Sequence, residues 1–237
     1  MTSKTVALIT GANKGIGLEI VRQLGQQGYL VVLGARDQAK GAGAAAELCQ
    51  QGIDAHSVKL DVTTSEDVAS LPGFFSERFG RLDVLVNNAG VAEWGEDDVE
   101  SFRRTFETNL LGVVAVTYAL LPLLKQSPAG RIVNQSSVLG SLGSLSRQPR
   151  MFGKFIIPSY TSSKAALNGF TVALAHKLSG TALKVNSAHP GWVKTDMGGQ
   201  EAPMDVVEGA KTAVTLATLP PDGPTGQFFH MGETLPW

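Results

Sequence analysis

The sequence predicts an α/β fold in which one parallel sheet, wound in two directions from its centre, carries helices on both faces. Three observations predict it. Strand-like and helix-like segments alternate from residue 5 onward, the first strand segment is a continuous β-prone run, and a glycine-rich turn joins it to the first helix. Repeated strand–helix–strand units require right-handed crossovers, and therefore a parallel sheet covered on both sides. At 237 residues and 43% hydrophobic content, the chain fits a single domain over 1–237 with a sizeable core.

Taken in order, residues 5–10 form a β-prone run suited to a strand buried on both faces. Ile16, Ile20, Val21 and Leu24 then recur at helical spacing, and Gly28 closes that helix. Residues 29–33 are the second strand, followed by an Ala-rich helix over 42–51. Further strands are expected at 58–60, 82–86, 131–134 and 183–187. Helices are expected at 64–79, 99–124 and 160–179, the first of them interrupted at Leu71-Pro72-Gly73. Between Ser137 and Tyr160 the rhythm breaks. A Gly/Ser-rich stretch and then Arg147, Arg150, Phe152, Lys154 and Phe155 predict an irregular insertion over about 138–159.

Composition excludes several function classes. Twenty Lys+Arg against 21 Asp+Glu leave a formal charge of -1, so no broad basic face is implied and nucleic acid is not an expected partner. Cys49 is the single cysteine, which rules out an internal disulfide and suits a reducing compartment. The start, Met1-Thr2-Ser3-Lys4, has no secretory pattern. The longest apolar stretch, 110–124, is broken by Gly112, Thr117, Tyr118 and Pro122, too short for a membrane span. A cytoplasmic protein without a membrane partner is expected. His56, His176, His189 and His230 are dispersed, so no metal site is expected.

Thr10-Gly11-Ala12-Asn13-Lys14-Gly15-Ile16-Gly17 carries the first chemical signal. Glycines let a backbone approach a ligand closely, and the helix start behind them offers unpaired N–H groups to a pyrophosphate. The spacing is neither G-x-G-x-x-G, since Glu19 and Ile20 stand where a third glycine would fall, nor a Walker A loop. Its place after the first strand of an alternating chain favours a nucleotide.

Several motifs in order resemble the short-chain dehydrogenase/reductase family, whose fold is Rossmann-type. The Thr-Gly-x-x-x-Gly-x-Gly turn is followed by Asn87-Asn88-Ala89-Gly90 after the fourth strand. Asn109, Ser137, Tyr160 and Lys164 come next, and then Pro190-Gly191-Trp192-Val193-Lys194-Thr195. The wording of the turn, the lengthened Ser-to-Tyr segment and the ending Gly226-Gln227-Phe228-Phe229 resemble the carbonyl-reductase-like branch, although the insertion is shorter than in the monomeric animal members. The resemblance implies a catalytic set of Asn109, Ser137, Tyr160 and Lys164. It implies cofactor contacts from Gly11, Asn13, Lys14, Gly15, Ile16, Gly17, Arg36, Asp61, Val62, Asn88, Ala89, Gly90, Tyr160, Lys164, Pro190, Gly191, Val193 and Thr195. Helices 99–124 and 160–179 pair between subunits in such proteins, and an insertion can block this, so monomer and homo-oligomer both stay open.

The chemistry fits those residue types. Reducing a carbonyl needs a hydride on one side and a proton for the developing alkoxide on the other. A phenol with a pKa of about 10 ionises slowly at neutral pH. Tyr160 and Lys164 stand four apart and share a helix face, so an ammonium can favour phenolate. A drop of ~2 to 3 units needs roughly 3 to 4 kcal/mol. The family register selects Ser137 over Ser136 as the group that holds the substrate oxygen, and gives Asn109 a water connected to Lys164. As isolated features, a Tyr-x-x-x-Lys pair, a Ser-Ser strand end and a helical Asn are ordinary structure; together with the glycine turn they imply catalysis.

The cofactor expected is NADP(H). An acidic group after the second strand would bind a ribose diol and repel a 2′-phosphate, but that place holds Ala35 and Arg36, with Lys14 as a second cation. Asp37 supports the opposing NAD reading. Trp94, Met151, Phe155, Trp192 and Met197 suit a lipophilic ketone or aldehyde as substrate, and residues 194–204, with Gly198 and Gly199, suit a lid. The reaction expected is reversible NADPH-dependent carbonyl reduction. The alternatives are a silent NADP-binding sensor or scaffold, an NAD-dependent alcohol dehydrogenase, and, last, a nucleotide-sugar epimerase.

Overall fold

The computed structural model describes residues 4–93, 95, 97–147 and 156–237. Trp94, Met151 and Phe155, expected at the substrate site, lie outside the described residues, as do residues 148–155 of the insertion.

One sheet of eight strands organises the chain in the order β3-β2-β1-β4-β5-β6-β7-β8, parallel throughout except between β7 and β8. The strands are β1 Val6–Thr10, β2 Leu30–Ala35, β3 Ala55–Lys59, β4 Val84–Asn87, β5 Arg131–Gln135, β6 Lys184–Ala188, β7 Phe228–His230 and β8 Glu233–Thr234. Strands β1, β4 and β5 are buried along their whole length, which for β1 is the outcome its continuous β-prone run predicted.

Side-chain alternation divides the core into two layers. Ala7, Ile9, Val31, Leu33, Val86 and Val133 face α1 (Gly15–Gln26) and α2 (Gln38–Gln50). The same layer takes the last long helix, Val206–Ala217, numbered α8 below. Leu8, Val32, Leu85, Ile132 and Val185 face the other way, onto α3 (Ser65–Arg78), α5 (Gly112–Leu124) and α7 (Pro158–Lys177). Two shorter helices, α4 (Val99–Phe106) and α6 (Leu142–Arg147), flank this layer. The sheet is therefore doubly wound, and its order reverses between β1 and β4. Ligands bind at such a reversal, beyond the carboxyl ends of the strands.

Three local outcomes differ from expectation. Helix α3 runs without a break through Pro72, because Val68, Leu71 and Phe75 recur on one face and are buried against the sheet. Helix α2 begins at Gln38 rather than near residue 42, since Asp37 caps it by accepting from the Lys40 N–H at 3.0 Å. Between α4 and α5 the helix loosens into a π turn, Glu107–Leu111, before resuming. The whole run Val99–Leu124 is long and apolar enough to cross a membrane by length and composition alone. It buries Val116, Leu120, Leu121 and Leu124 in the second core layer, as a core helix does.

Candidate active site

A cleft of about 760 Å³ opens at the carboxyl ends of β1, β2, β4 and β5. The glycine turn borders it through Gly11, Asn13, Lys14, Gly15, Ile16 and Gly17, β2 through Arg36, and β3 through Asp61 and Val62. Asn88, Ala89, Gly90, Tyr160, Lys164, Pro190 and Thr195 border it as well. Four expected residues do not: Asn109 and Ser137 of the catalytic set, and Gly191 and Val193 of the cofactor set. Val193 is buried beneath the loop against Gly209, and an added Cβ at Gly191 would meet the Met204 sulfur at 2.2 Å.

Close approach explains the turn. Gly11 has a φ of 63°, and a Cβ there would stand 2.9 Å from the Ala89 Cα; one on Gly17 would stand 2.5 Å from the Asn88 amide. Asn88 Nδ2 donates to the Thr10 and Gly11 carbonyls at 2.9 and 3.2 Å, and Thr10 Oγ1 accepts from the Asn88 and Ala89 N–H groups. Asn88 therefore braces the turn. Helix α1 begins at Gly15, and its N-cap residue Lys14 makes no side-chain cap, so the first N–H groups at the cleft have no side-chain acceptor. That arrangement fits a phosphate.

Four polar residues gather at the β5 end. Lys164, on α7, is 5% exposed, and its Nζ donates to the Gln135 carbonyl at 2.7 Å. Burial lowers its ammonium to about 8. The same Nζ lies 5.7 Å from the centre of the Tyr160 ring, one turn earlier on the helix. Burial pushes the Tyr160 phenol above its ordinary value, and a hydrogen bond from the Ser137 hydroxyl works the other way. Ser136 points to the opposite side, where its hydroxyl donates to Asn168 Oδ1 at 2.7 Å. Of the two serines, Ser137 is the one that meets the phenol.

Asn109 sits in the π turn, where the extra residue reorients side chains. Its Nδ2 donates to the Val91 carbonyl at 2.8 Å and to Ser163 Oγ at 3.0 Å, and its Oδ1 accepts from the Val91 N–H. A Cβ on Gly90 would lie 3.3 Å from that Oδ1 and 3.6 Å from Lys164 Nζ. Gly90 thus leaves open the space between Asn109 and the lysine, although Asn109 itself stands behind the cleft wall.

Charge is uneven along the cleft. Lys14 and Arg36 lie toward β2, whereas the Asp37 carboxylate is engaged in the α2 cap, which holds it below its usual range. Lys14 Nζ also reaches across to Asp196 Oδ2 at 2.5 Å. Asp196 lies in the segment that follows β6, whose ends are pinned where Lys194 N–H donates to the Met204 carbonyl and Met204 N–H to that of Trp192. The Trp192 ring N–H donates to the Gly198 carbonyl at 2.7 Å, fastening the loop on itself. Beneath it, burial and the neighbouring His230 lower His189 to about 3, so its imidazole is neutral.

A sequence profile described as short chain dehydrogenase matches residues 5–205. The chain belongs to the short-chain dehydrogenase family. It is 36% identical to mouse (Mus musculus) carbonyl reductase [NADPH] 1, covering 100% of this chain and 99% of that one. It is 35% identical to short-chain dehydrogenase/reductase 1 of Saponaria officinalis, covering 100% and 97%. Among solved structures, NADPH-bound carbonyl reductase from chicken fatty liver superposes with a TM-score of 0.86 at 26% identity, covering 99% and 100%. The mouse match runs over 278 residues against 237 here, so that relative carries residues with no counterpart in this chain. Membership makes the chain an oxidoreductase of carbonyl-reductase-like type.

Short-chain dehydrogenase motifs did not point to every residue of the cleft. Leu60, Thr63, Val91, Ala92, Thr108, Gln135, Ser136, Asp196 and Gln200 also border it. Val91 and Ala92 continue the Asn-Asn-Ala-Gly motif, and 194–200 falls in the segment read as a lid, so adjacency could have found these. Gln135 had no such signal beyond being polar at the end of a buried strand.

Proposed function

We propose that this chain reduces ketones and aldehydes to alcohols, reversibly and with NADP(H), using Tyr160 as proton donor. The observation that carries the reading is the meeting of Tyr160, Ser137 and Lys164 at one end of a cleft whose other end presents an uncapped helix start and two cations. When bound, the dinucleotide supplies the hydride. The chain's own residues do the rest. The first turn of α1 and Lys14 hold phosphate, and Arg36 offers a planar fork to a 2′-phosphate. Asp37 caps α2 through the Lys40 N–H, and the residue that borders the cleft after β2 is Arg36. This supports NADP(H) over NAD(H).

Ser137 donates to the carbonyl oxygen and Tyr160 passes its proton to that oxygen as it becomes an alcohol. The resulting phenolate is favoured by the Lys164 ammonium, which the Gln135 carbonyl holds in place. Asn109 positions the loop at Val91 behind the lysine. Trp192 and Met197, 40% and 37% exposed on the loop after β6, suit a lipophilic substrate, with residues 194–204 acting as a lid. The lone Cys49 fits a cytoplasmic enzyme.

The test is direct. Purified protein oxidises NADPH with a panel of aromatic and cyclic ketones, followed spectrophotometrically beside NADH at equal concentration. Tyr160→Phe lowers turnover at least 100-fold, roughly the contribution of one general acid, while NADPH still binds. Turnover surviving that change removes Tyr160 as proton donor, and tight NADPH binding with no reduction of any carbonyl makes the protein a sensor.

A further inference from the structure

Helix α7 turns a polar row toward the end of β5. Lys164, Asn168 and Thr171 recur at helical spacing, and all three are buried. Thr171 accepts from the Asn134 amide, Lys164 donates to the Gln135 carbonyl, and Asn168 accepts from the Ser136 hydroxyl just beyond the strand. Apolar residues would serve packing better, since a buried amide costs free energy unless its ends are bonded. Lys164 has its place beside the phenol, and Thr171 ties β5 to Ser187 of β6. Neither reason accounts for Asn168, which is 4% exposed.

The Asn168 amide grips the turn that carries Ser137 from both sides. Its Oδ1 accepts from Ser136 Oγ at 2.7 Å, and its Nδ2 donates to the Gly140 carbonyl at 3.2 Å. Between those points the turn closes on itself. The Gly140 N–H donates to the Ser137 carbonyl at 2.8 Å, and Ser137 Oγ accepts from the Leu139 N–H at 3.2 Å. The Ser137 hydroxyl therefore keeps its one hydrogen to give. The turn also lies hard against the helix: a Cβ on Gly140 would stand 2.6 Å from the Lys164 carbonyl carbon and 2.7 Å from its Cβ. Tyr160, Lys164 and Asn168 follow one another at one-turn spacing on α7. One amide thus sets how far the Ser137 turn stands from the helix that carries the phenol and the ammonium.

We infer that Asn168 is a positioning residue, which holds the Ser137 hydroxyl against Tyr160 in the geometry that carbonyl reduction uses. The inference deepens the carbonyl-reduction reading above and rests on it. Asn168 does not border the cleft, so its effect on the reaction passes through Ser137.

Kinetics in two backgrounds test this. Asn168→Leu keeps the volume and removes both bonds. Hydride transfer is followed in single turnovers, with saturating NADPH and a ketone that wild-type protein reduces. Misplacement of a reacting group by about 1 Å costs on the order of 100-fold, so the variant is expected to be roughly 10- to 100-fold slower. Its affinity for NADPH is expected to stay within about twofold of wild type, which reports an intact fold. Ser137→Ala sets the floor, roughly 100- to 1,000-fold below wild type. On that background Asn168→Leu is expected to change the rate by less than about twofold, because no hydroxyl is left to position. Equal losses on both backgrounds, no loss beside an intact Ser137, or Ser137→Ala at the wild-type rate overturns the inference. A crystal structure of Asn168→Leu gives a readout without turnover: Ser137 Oγ is expected to shift by about 0.5 Å or more relative to Tyr160, and an unmoved oxygen overturns the inference. If Asn168→Leu does not fold, Ser136→Ala decides, since it removes one of the two bonds with a single oxygen atom. Its expected loss is about three- to tenfold beside Ser137 and under about twofold beside Ser137→Ala, and equal losses overturn the inference. Wild-type protein that binds NADPH and reduces no ketone or aldehyde refutes the carbonyl-reduction reading, and the role of Asn168 with it.

Discussion

Lys164 serves two requirements that oppose one another. Burial beside Tyr160 brings a cation to the phenol, and the same burial lowers the ammonium to about 8, with the Gln135 carbonyl accepting from it. The sign of the consequence is fixed by linkage. The folded pKa lies below the unfolded one, so the unfolded chain binds more protons between about 8 and 10.5. Below that window both states are protonated and the full cost of burying the charge is present. As pH rises through it, the folded protein sheds the proton and the cost falls. Lys164→Met is therefore expected to be more stable than wild type at pH 7, by up to about 3 kcal/mol. Denaturant unfolding at a series of pH values should show that advantage shrinking toward pH 10. A constant difference would mean that the ammonium is solvated in the folded protein. The glycine turn, Tyr160 and Lys164 were legible because each has a fixed spacing, whereas Gln135 was not, since a polar residue ending a strand is read as a surface residue.

At the scale of elements, α3 shows how packing overrides local preference. Pro72 removes one N–H from the middle of the helix, a cost of ~3 kcal/mol or more in a free helix. Full burial of Leu71 and Phe75, at roughly 1.5–3 kcal/mol each, offsets it. Pro72→Ala should restore the bond to the Val68 carbonyl and raise stability by about 1 kcal/mol or more, read as a higher denaturation midpoint with an unchanged slope. A lower midpoint would show that the proline ring packs better than a restored hydrogen bond. The same competition sets what could be read from sequence. Six strands and five helices were legible as runs and periods, but α8 was not. Its buried positions include Gly209, Ala210, Thr212 and Ala213, small residues that let it lie close to its neighbours and blur the apolar stripe. Strands β7 and β8 span three and two residues, too few for any pattern. The π turn left no composition signal, because it adds a residue to the helical register without changing residue type.

Across the whole molecule, one cleft crosses the point where the sheet reverses. Its walls come from the glycine turn of the outer half, from β4 and β5 in the middle, and from the loop after β6. Lys14–Asp196 bridges the mouth, and both side chains are largely exposed, so it adds little stability. A dinucleotide that spans the cleft would join these walls, and binding to the folded state alone stabilises it by mass action. At 100 times its dissociation constant, NADPH should add about 2.7 kcal/mol. For a chain of this size that corresponds to a rise in Tm of about 5–10 °C. NADH at the same concentration should give a smaller rise, because Lys14 and Arg36 meet no 2′-phosphate. Hydrogen exchange should slow together in the glycine turn, at the end of β5 and in residues 194–204, since all three border one ligand. Equal shifts from NADH and NADPH would remove the two cations as the basis of cofactor choice. Protection confined to the glycine turn would mean that the nicotinamide half of the ligand never reaches Tyr160.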